Sequence, residues 1–111
     1  MDKIDVQVDE NPKGLIARIS GKASVEQIDE LDRQLHLLVA LSPKLVVLDL
    51  SNMPYVSSMG IGSLLRFRNQ IDQAGGKVVV AAPHANVAAV LRLGNIDRVL
   101  TIFNSVEAAL K

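Results

Sequence analysis

Chemistry in this chain is concentrated in one stretch, Asn52-Met53-Pro54-Tyr55-Val56-Ser57-Ser58-Met59-Gly60-Ile61-Gly62. Two adjacent hydroxyls precede two closely spaced glycines, and Ile61, Leu64 and Leu65 then recur at helical spacing. The first N–H groups of a helix have no intrahelical acceptor and carry a partial positive charge. Such a place takes a capping oxygen, an anion or a phosphorylated serine. Ser58 therefore reads either as a phosphoacceptor or as an N-cap, a cap contributing about 0.5–2 kcal/mol. Ser57 is the second candidate for both roles, and Ser63, inside the helix, reads as structural. Gly60 and Gly62 would let another backbone approach, and Ile61 would add an apolar contact. Met53, Tyr55 and Met59 form an adaptable exposed patch or pack beneath the turn.

Other chemistries find no residues to carry them. Leu65 stands where a dinucleotide fingerprint needs its third glycine, which excludes a Rossmann site. His36 and His84 are far apart in sequence, and neither has a carboxylate or histidine at ligand spacing, so no metal or catalytic pair is expected. No nucleophile, base and orienting group can be assembled, so the chain reads as a non-enzyme without cofactor or metal. Asp49 is the one charge in an apolar run. It either bonds nearby backbone N–H groups or faces the Ser57–Ser58 turn.

The elements that must position this turn follow from the patterning of 111 residues, a length that suits one domain over 1–111. Aliphatic side chains dominate a 49% hydrophobic composition with two Phe, one Tyr and no Trp, which favours sheet and helices over an aromatic-rich barrel. Twelve basic and twelve acidic residues cancel, so no long-range field draws nucleic acid or an anionic membrane. The absence of cysteine excludes disulfides and thiolate chemistry. Asp2 and Lys3 open no basic-apolar leader, and no apolar run approaches the roughly 18 residues of a span. A soluble, cytoplasmic protein with no membrane insertion is expected.

Ile4, Val6 and Val8 alternate with polar residues and predict an outer strand; Glu10–Gly14 is a turn, and Leu15 to Ile19 completes a hairpin that Gly21 ends. Ser24 and Gln27 have capping-box spacing before a helix over about 24–40, whose inner face carries Val25, Ile28, Leu31, Leu35, Leu38 and Val39. Asp29 and Arg33 are spaced to pair on its wet face, and Ser42-Pro43 closes it. Leu45–Leu50 reads as a central strand. A helix then carries Leu64, Leu65 and Ile71 inward until Gly75-Gly76, and Lys77–Ala82 is a second buried strand. Pro83 opens a helix containing Val87, Val90 and Leu91 and ending at Gly94-Asn95. A last strand lies within Arg98–Phe103, and Ser105 caps a final helix through Leu110. This order gives an α/β fold: a mixed, mainly parallel sheet of about five strands with about four helices. Functional sites in such sheets gather outside the carboxyl ends of the strands, where the Ser57–Gly62 turn falls.

The opening hairpin, the glycine-containing turn Gly21-Lys22-Ala23-Ser24 and the segment Ser57-Ser58-Met59-Gly60-Ile61-Gly62 resemble the STAS domain family. So do Gly75-Gly76-Lys77-Val78-Val79-Val80 and Leu91-Arg92-Leu93-Gly94-Asn95-Ile96. Within that family the resemblance is to bacterial anti-sigma-factor antagonists, and it covers nearly the whole chain. It implies a regulatory protein that binds an anti-sigma factor, itself a serine kinase. Phosphorylation of Ser58 by that kinase breaks the complex, and a serine phosphatase restores the binding form. Ser24, Ser57, Ser58, Met59, Gly60 and Ile61 would then meet the partner. Ser57 and Ser24 stand where the family commonly has acidic residues, and Met59 stands where it has a small or hydroxylated one; these departures bear on kinase recognition. Two other roles remain open, a STAS subunit docked constitutively in a signalling or lipid-transport complex and a sensor of an anionic small ligand. A weak homodimer through a sheet or helix face is also left open.

Overall fold

A computed structural model describes residues 3–111. Strand β1 (Asp5–Asn11) pairs antiparallel with β2 (Gly14–Ser20), and β3 (Leu45–Asn52), β4 (Lys77–Ala81) and β5 (Ile102–Phe103) follow in parallel, in the spatial order 1-2-3-4-5. Four helices connect or close the strands: α1 (Ile28–Val39), α2 (Ser58–Gln73), α3 (Ala85–Leu93) and α4 (Val106–Ala109). This is the mainly parallel α/β arrangement expected from the alternation of periods.

The three β–α–β units step in the same direction along the sheet, so right-handed crossovers bring α1, α2 and α3 to one face. There Ile19, Leu48 and Val80 pack with Leu35, Phe67 and Leu91 in the main core. The opposite face is thinly covered: α4 places Ala109 against Val47, Val79 and Ala81. Ser105 secures that short helix by accepting from the Ala108 N–H at 3.1 Å.

Several local expectations yield to contacts from further along the chain. Ser24 makes no capping bond. The Gln27 side chain, its expected capping-box partner, instead accepts from the Ile4 N–H at 3.0 Å, tying the start of the chain to α1. Val25–Gln27 is consequently a 3-10 turn, α1 starts at Ile28, and Val25 lies outside the core. Glycines close two junctions. Gly75, at φ +90°, ends α2 where an L side chain would be strained. Gly76 leaves room for the Pro43 carbonyl, which a methyl group would strike.

Arg33 pairs with Glu30 rather than Asp29. Its Nε and Nη2 reach the two carboxylate oxygens at 3.0 and 2.6 Å, a planar fork that a neighbour three residues back can meet. Hydrogen bonds from Arg33, then from Gln34, hold the Glu30 carboxyl down at about 2. A carboxylate depressed in the folded state adds stability above its ordinary pKa, and that contribution disappears as pH falls through the folded value. The expected result is a Glu30 carboxyl resonance titrating near pH 2 in the native protein. In Arg33→Gln it returns towards the ordinary value of 4.5. Native titration near 4.5 would show that the fork is open in solution.

Candidate functional site

The site is built by continuing the β2–β3 pairing beyond its regular end. After a register shift near Ser20, Gly21 turns at φ +97° and donates its N–H to the Asn52 carbonyl at 3.1 Å. The Ala23 N–H then donates to Tyr55 O at 3.0 Å, and the Ser57 N–H donates to Ala23 O at 2.9 Å. Ala23 and Val56 thus form an isolated parallel bridge. These bonds fasten the loop carrying Ser24 alongside the turn carrying Ser57 and Ser58, two segments far apart in sequence.

The turn then enters α2 directly, with Ser58 as its first residue; the glycines lie inside the first turns rather than ahead of the helix. Ser57 is the cap. Its backbone is extended (φ −80°, ψ 166°), and its Oγ accepts from the Gly60 N–H at 3.0 Å. Its carbonyl accepts from the Ile61 N–H at 3.0 Å, starting the helical ladder. Ser58 is not the cap. It is exposed, and its hydroxyl makes no hydrogen bond among the described residues.

The proposed contact residues separate into surface and support. Ser57 and Gly60 are buried. A Cβ on Gly60 would meet Val56 Cγ2 at 2.8 Å and Ala23 O at 3.0 Å, so the room left by this glycine admits the protein's own loop, not another backbone. Ile61 is partly buried against the main core, and Ser24 is half-buried beside the turn. Met53 is fully buried, which removes it from the exposed patch. Tyr55 at 49% and Met59 at 52% do reach the surface. Val25, read from sequence as a core residue, joins them at 57% exposure because the 3-10 turn rotates it away from the sheet. The two segments that the Ala23–Val56 bridge holds together thus expose an unbonded hydroxyl and three large apolar side chains.

Polar neighbours brace the helix. Ser63, 1% exposed, donates through Oγ to the Met59 carbonyl at 3.4 Å and accepts from Arg66 Nη2 at 3.1 Å. The same Nη2 reaches Asp32 of α1 at 2.9 Å. Ser63 is therefore structural, as its position inside the helix suggested. Asp49 does not face the serine turn. Leu48 and Leu50 point into the main core under α2, so the intervening residue projects from the other face. There Asp49 accepts from the Ser51 N–H at 3.0 Å and lies 3.6 Å from Arg18 Nε. His36 and His84 are both exposed and sit in no metal-ligand group among the described residues.

Chemically, this arrangement presents a hydroxyl at the positive end of a helix without a carboxylate flanking it in the chain. Such a hydroxyl is suited to being modified by another protein's machinery rather than to acting as a nucleophile with a base of its own. A model of the STAS domain matches residues 3–109. The chain belongs to the STAS domain family. This STAS domain is 30% identical over 109 residues to BtrV of Bordetella bronchiseptica, named as a candidate anti-sigma factor antagonist, with 98% of this chain and 88% of that protein covered. Its fold is shared with an anti-sigma factor antagonist from Mycobacterium paratuberculosis at TM-score 0.88 and 22% identity, over 98% of this chain and 92% of that one. The Bacillus protein SpoIIAA in its unphosphorylated form has the same fold at TM-score 0.74 and 12% identity, over 94% and 92% of the two chains. Among the described residues no helix of this STAS domain is long and apolar enough to cross a membrane.

Proposed function

We propose that this STAS domain is an anti-sigma factor antagonist. It binds an anti-sigma factor that is also a serine kinase, through the exposed start of α2 and the adjoining Ser24 loop, and phosphorylation of Ser58 ends the complex. The observation that carries this reading is the division of labour between the two serines. Ser57 caps the helix, leaving the Ser58 hydroxyl exposed and unbonded, on bridged segments that also expose Val25, Tyr55 and Met59.

That arrangement makes an effective switch on physical grounds. Val25, Tyr55 and Met59 supply the apolar contact area of a docking surface, with Ser58 at its margin. In the transfer, Ser58 Oγ bonds to the γ-phosphorus of ATP, the bond to the β,γ-bridging oxygen breaks, and ADP leaves. Ser57 and Ser24 offer no carboxylate beside Ser58, so the hydroxyl proton passes to a base of the kinase. The product carries about −1.5 to −2 charge. At a helix N-terminus this charge is favourable by about 0.3–1 kcal/mol, so the fold tolerates it. Against a partner surface closed over three apolar side chains, it must be desolvated and binding weakens. A serine phosphatase resets the surface. The same fold without the switch would be a constitutively docked subunit.

The test pairs site mapping with binding. After incubation with candidate anti-sigma kinases and ATP, intact-mass spectrometry is expected to show one phosphate, on Ser58. Phosphoserine at 58, or Ser58→Asp, is expected to weaken kinase binding at least about tenfold by calorimetry, while Ser58→Ala binds as the parent does. Equal affinity of all forms would replace the switch with constitutive docking.

A further inference from the structure

Arg66 has a position that neither the core nor partner docking accounts for. Ser58, Gly62 and Arg66 follow one another at four-residue steps and form one stripe along α2. The Arg66 side chain folds back along that stripe towards the helix start. Its Nη1 lies over the bare Cα of Gly62, 3.3 Å from where a Cβ would be. Nη2 is engaged by Asp32 at 2.9 Å and by Ser63 Oγ at 3.1 Å, whereas Nη1 donates to no acceptor among the described residues. The guanidinium therefore bridges one of the two helical turns between Arg66 and Ser58 with its free edge leading.

We propose that Arg66 is the intramolecular receiving group for phosphate on Ser58, steered over Gly62 and held in readiness by Asp32. The inference rests on Ser58 as the modified residue. One helical turn, about 5.4 Å of axial rise, separates the position over Gly62 from Ser58. The added Oγ–P–O bonds and a rotamer change in an exposed arginine close that interval. The Arg66 side chain is 58% exposed and that of Asp32 39%, and a solvent-exposed ion pair of this kind is weak enough to be shared or exchanged. A phosphate dianion offers the guanidinium a stronger, bidentate acceptor than the carboxylate does. Modification thus does more than add charge to the docking surface. It redirects the charge that ties α2 to α1 and fixes the phosphate along the exposed start of the helix. Lys22 and Glu26, the charged residues of the adjoining loop, are the same in every variant compared.

The experiment installs phosphoserine at position 58 during translation, so its outcome does not depend on whether any kinase acts there. Phosphorus NMR then reads the second ionisation of the phosphate in the parent, Arg66→Gln, Arg66→Lys and Asp32→Asn backgrounds. An arginine in contact favours the dianion, so the parent is expected to titrate about 0.5 unit below Arg66→Gln. Arg66→Lys is expected to fall between them, and Asp32→Asn at or below the parent. The Arg66 Nε–H resonance should move with the same midpoint as the phosphorus. Parent and Arg66→Gln titrating within about 0.1 unit of each other would overturn the assignment. A null result here with loss of kinase binding by phosphoserine would remove Arg66 from the switch and leave the switch itself. The reverse pattern would leave the phosphate contact without the proposed function.

Discussion

Phe67→Ala is expected to cost about 3–5 kcal/mol of stability, the range for truncating a buried aromatic side chain. Phe67 is 1% exposed and is among the largest fully buried side chains of the domain. It projects from the middle of α2 into the core shared by α1 and the sheet, with Leu64 and Ile71 of the same helix. Collapse around the missing ring is opposed from both sides. Beneath it β3 and β4 are fixed by their ladder, and beside it α1 is tied to the start of the chain through Gln27 and Gln34. Most of the cavity would therefore persist. Urea unfolding should show a lower midpoint with an unchanged slope. A loss below about 1 kcal/mol would mean that α2 is not anchored through this residue. The consequence reaches the site, because an α2 free to shift on the sheet no longer holds Ser58 beside the Ser24 loop.

Phe67 also shows where sequence reading reaches its limit. It stands between Arg66 and Arg68, and its neighbours conceal it unless the helix phase is already known. That phase depends on where α2 starts. The start is set by the Ala23 carbonyl, which takes the Ser57 N–H and leaves Ser57, not Ser58, in the extended capping conformation. No local pattern distinguishes two adjacent serines; a residue thirty-four positions earlier does. The Ser24–Gln27 capping box failed for a related reason, since the Gln27 amide found a backbone donor at Ile4. By contrast, the buried strands were legible. Leu45–Leu48 and Val78–Val80 are apolar in succession because alternate residues feed the main core and the smaller cluster under α4, and nothing distant competes for their pairing. The candidate site is legible as a location, from two serines and two glycines after a buried strand. Its division into cap, exposed hydroxyl and apolar surroundings is not, because each assignment depends on the loop that Ala23 docks.

The two glycines of α2 should answer to substitution with opposite signs. In a helix interior glycine is less favourable than alanine by about 1 kcal/mol, so propensity alone predicts a gain at both positions. At Gly62 the gain should survive. The one atom near an added Cβ is Arg66 Nη1 at 3.3 Å, the end of an exposed side chain that can move, and Gly62→Ala is expected to stabilise by up to about 1 kcal/mol. At Gly60 the same methyl would come within 2.8 Å of Val56 Cγ2 and 3.0 Å of the Ala23 carbonyl, which belong to the bridge that builds the site. Gly60→Val adds two further methyl groups against that bridge and is expected to cost about 3 kcal/mol, the upper part of the usual overpacking range. Thermal unfolding of both variants, with amide exchange at Ala23 and Ser57, separates strain at the bridge from general loss of helix. If Gly60→Val kept the parent's stability and the protection of those amides, the Ala23 loop would not be what fixes Ser58. If exchange rises first at Ala23 and Ser57, the glycine in the helix is there for the loop. The Ser58 hydroxyl is then on the surface because the residue two places later has no side chain.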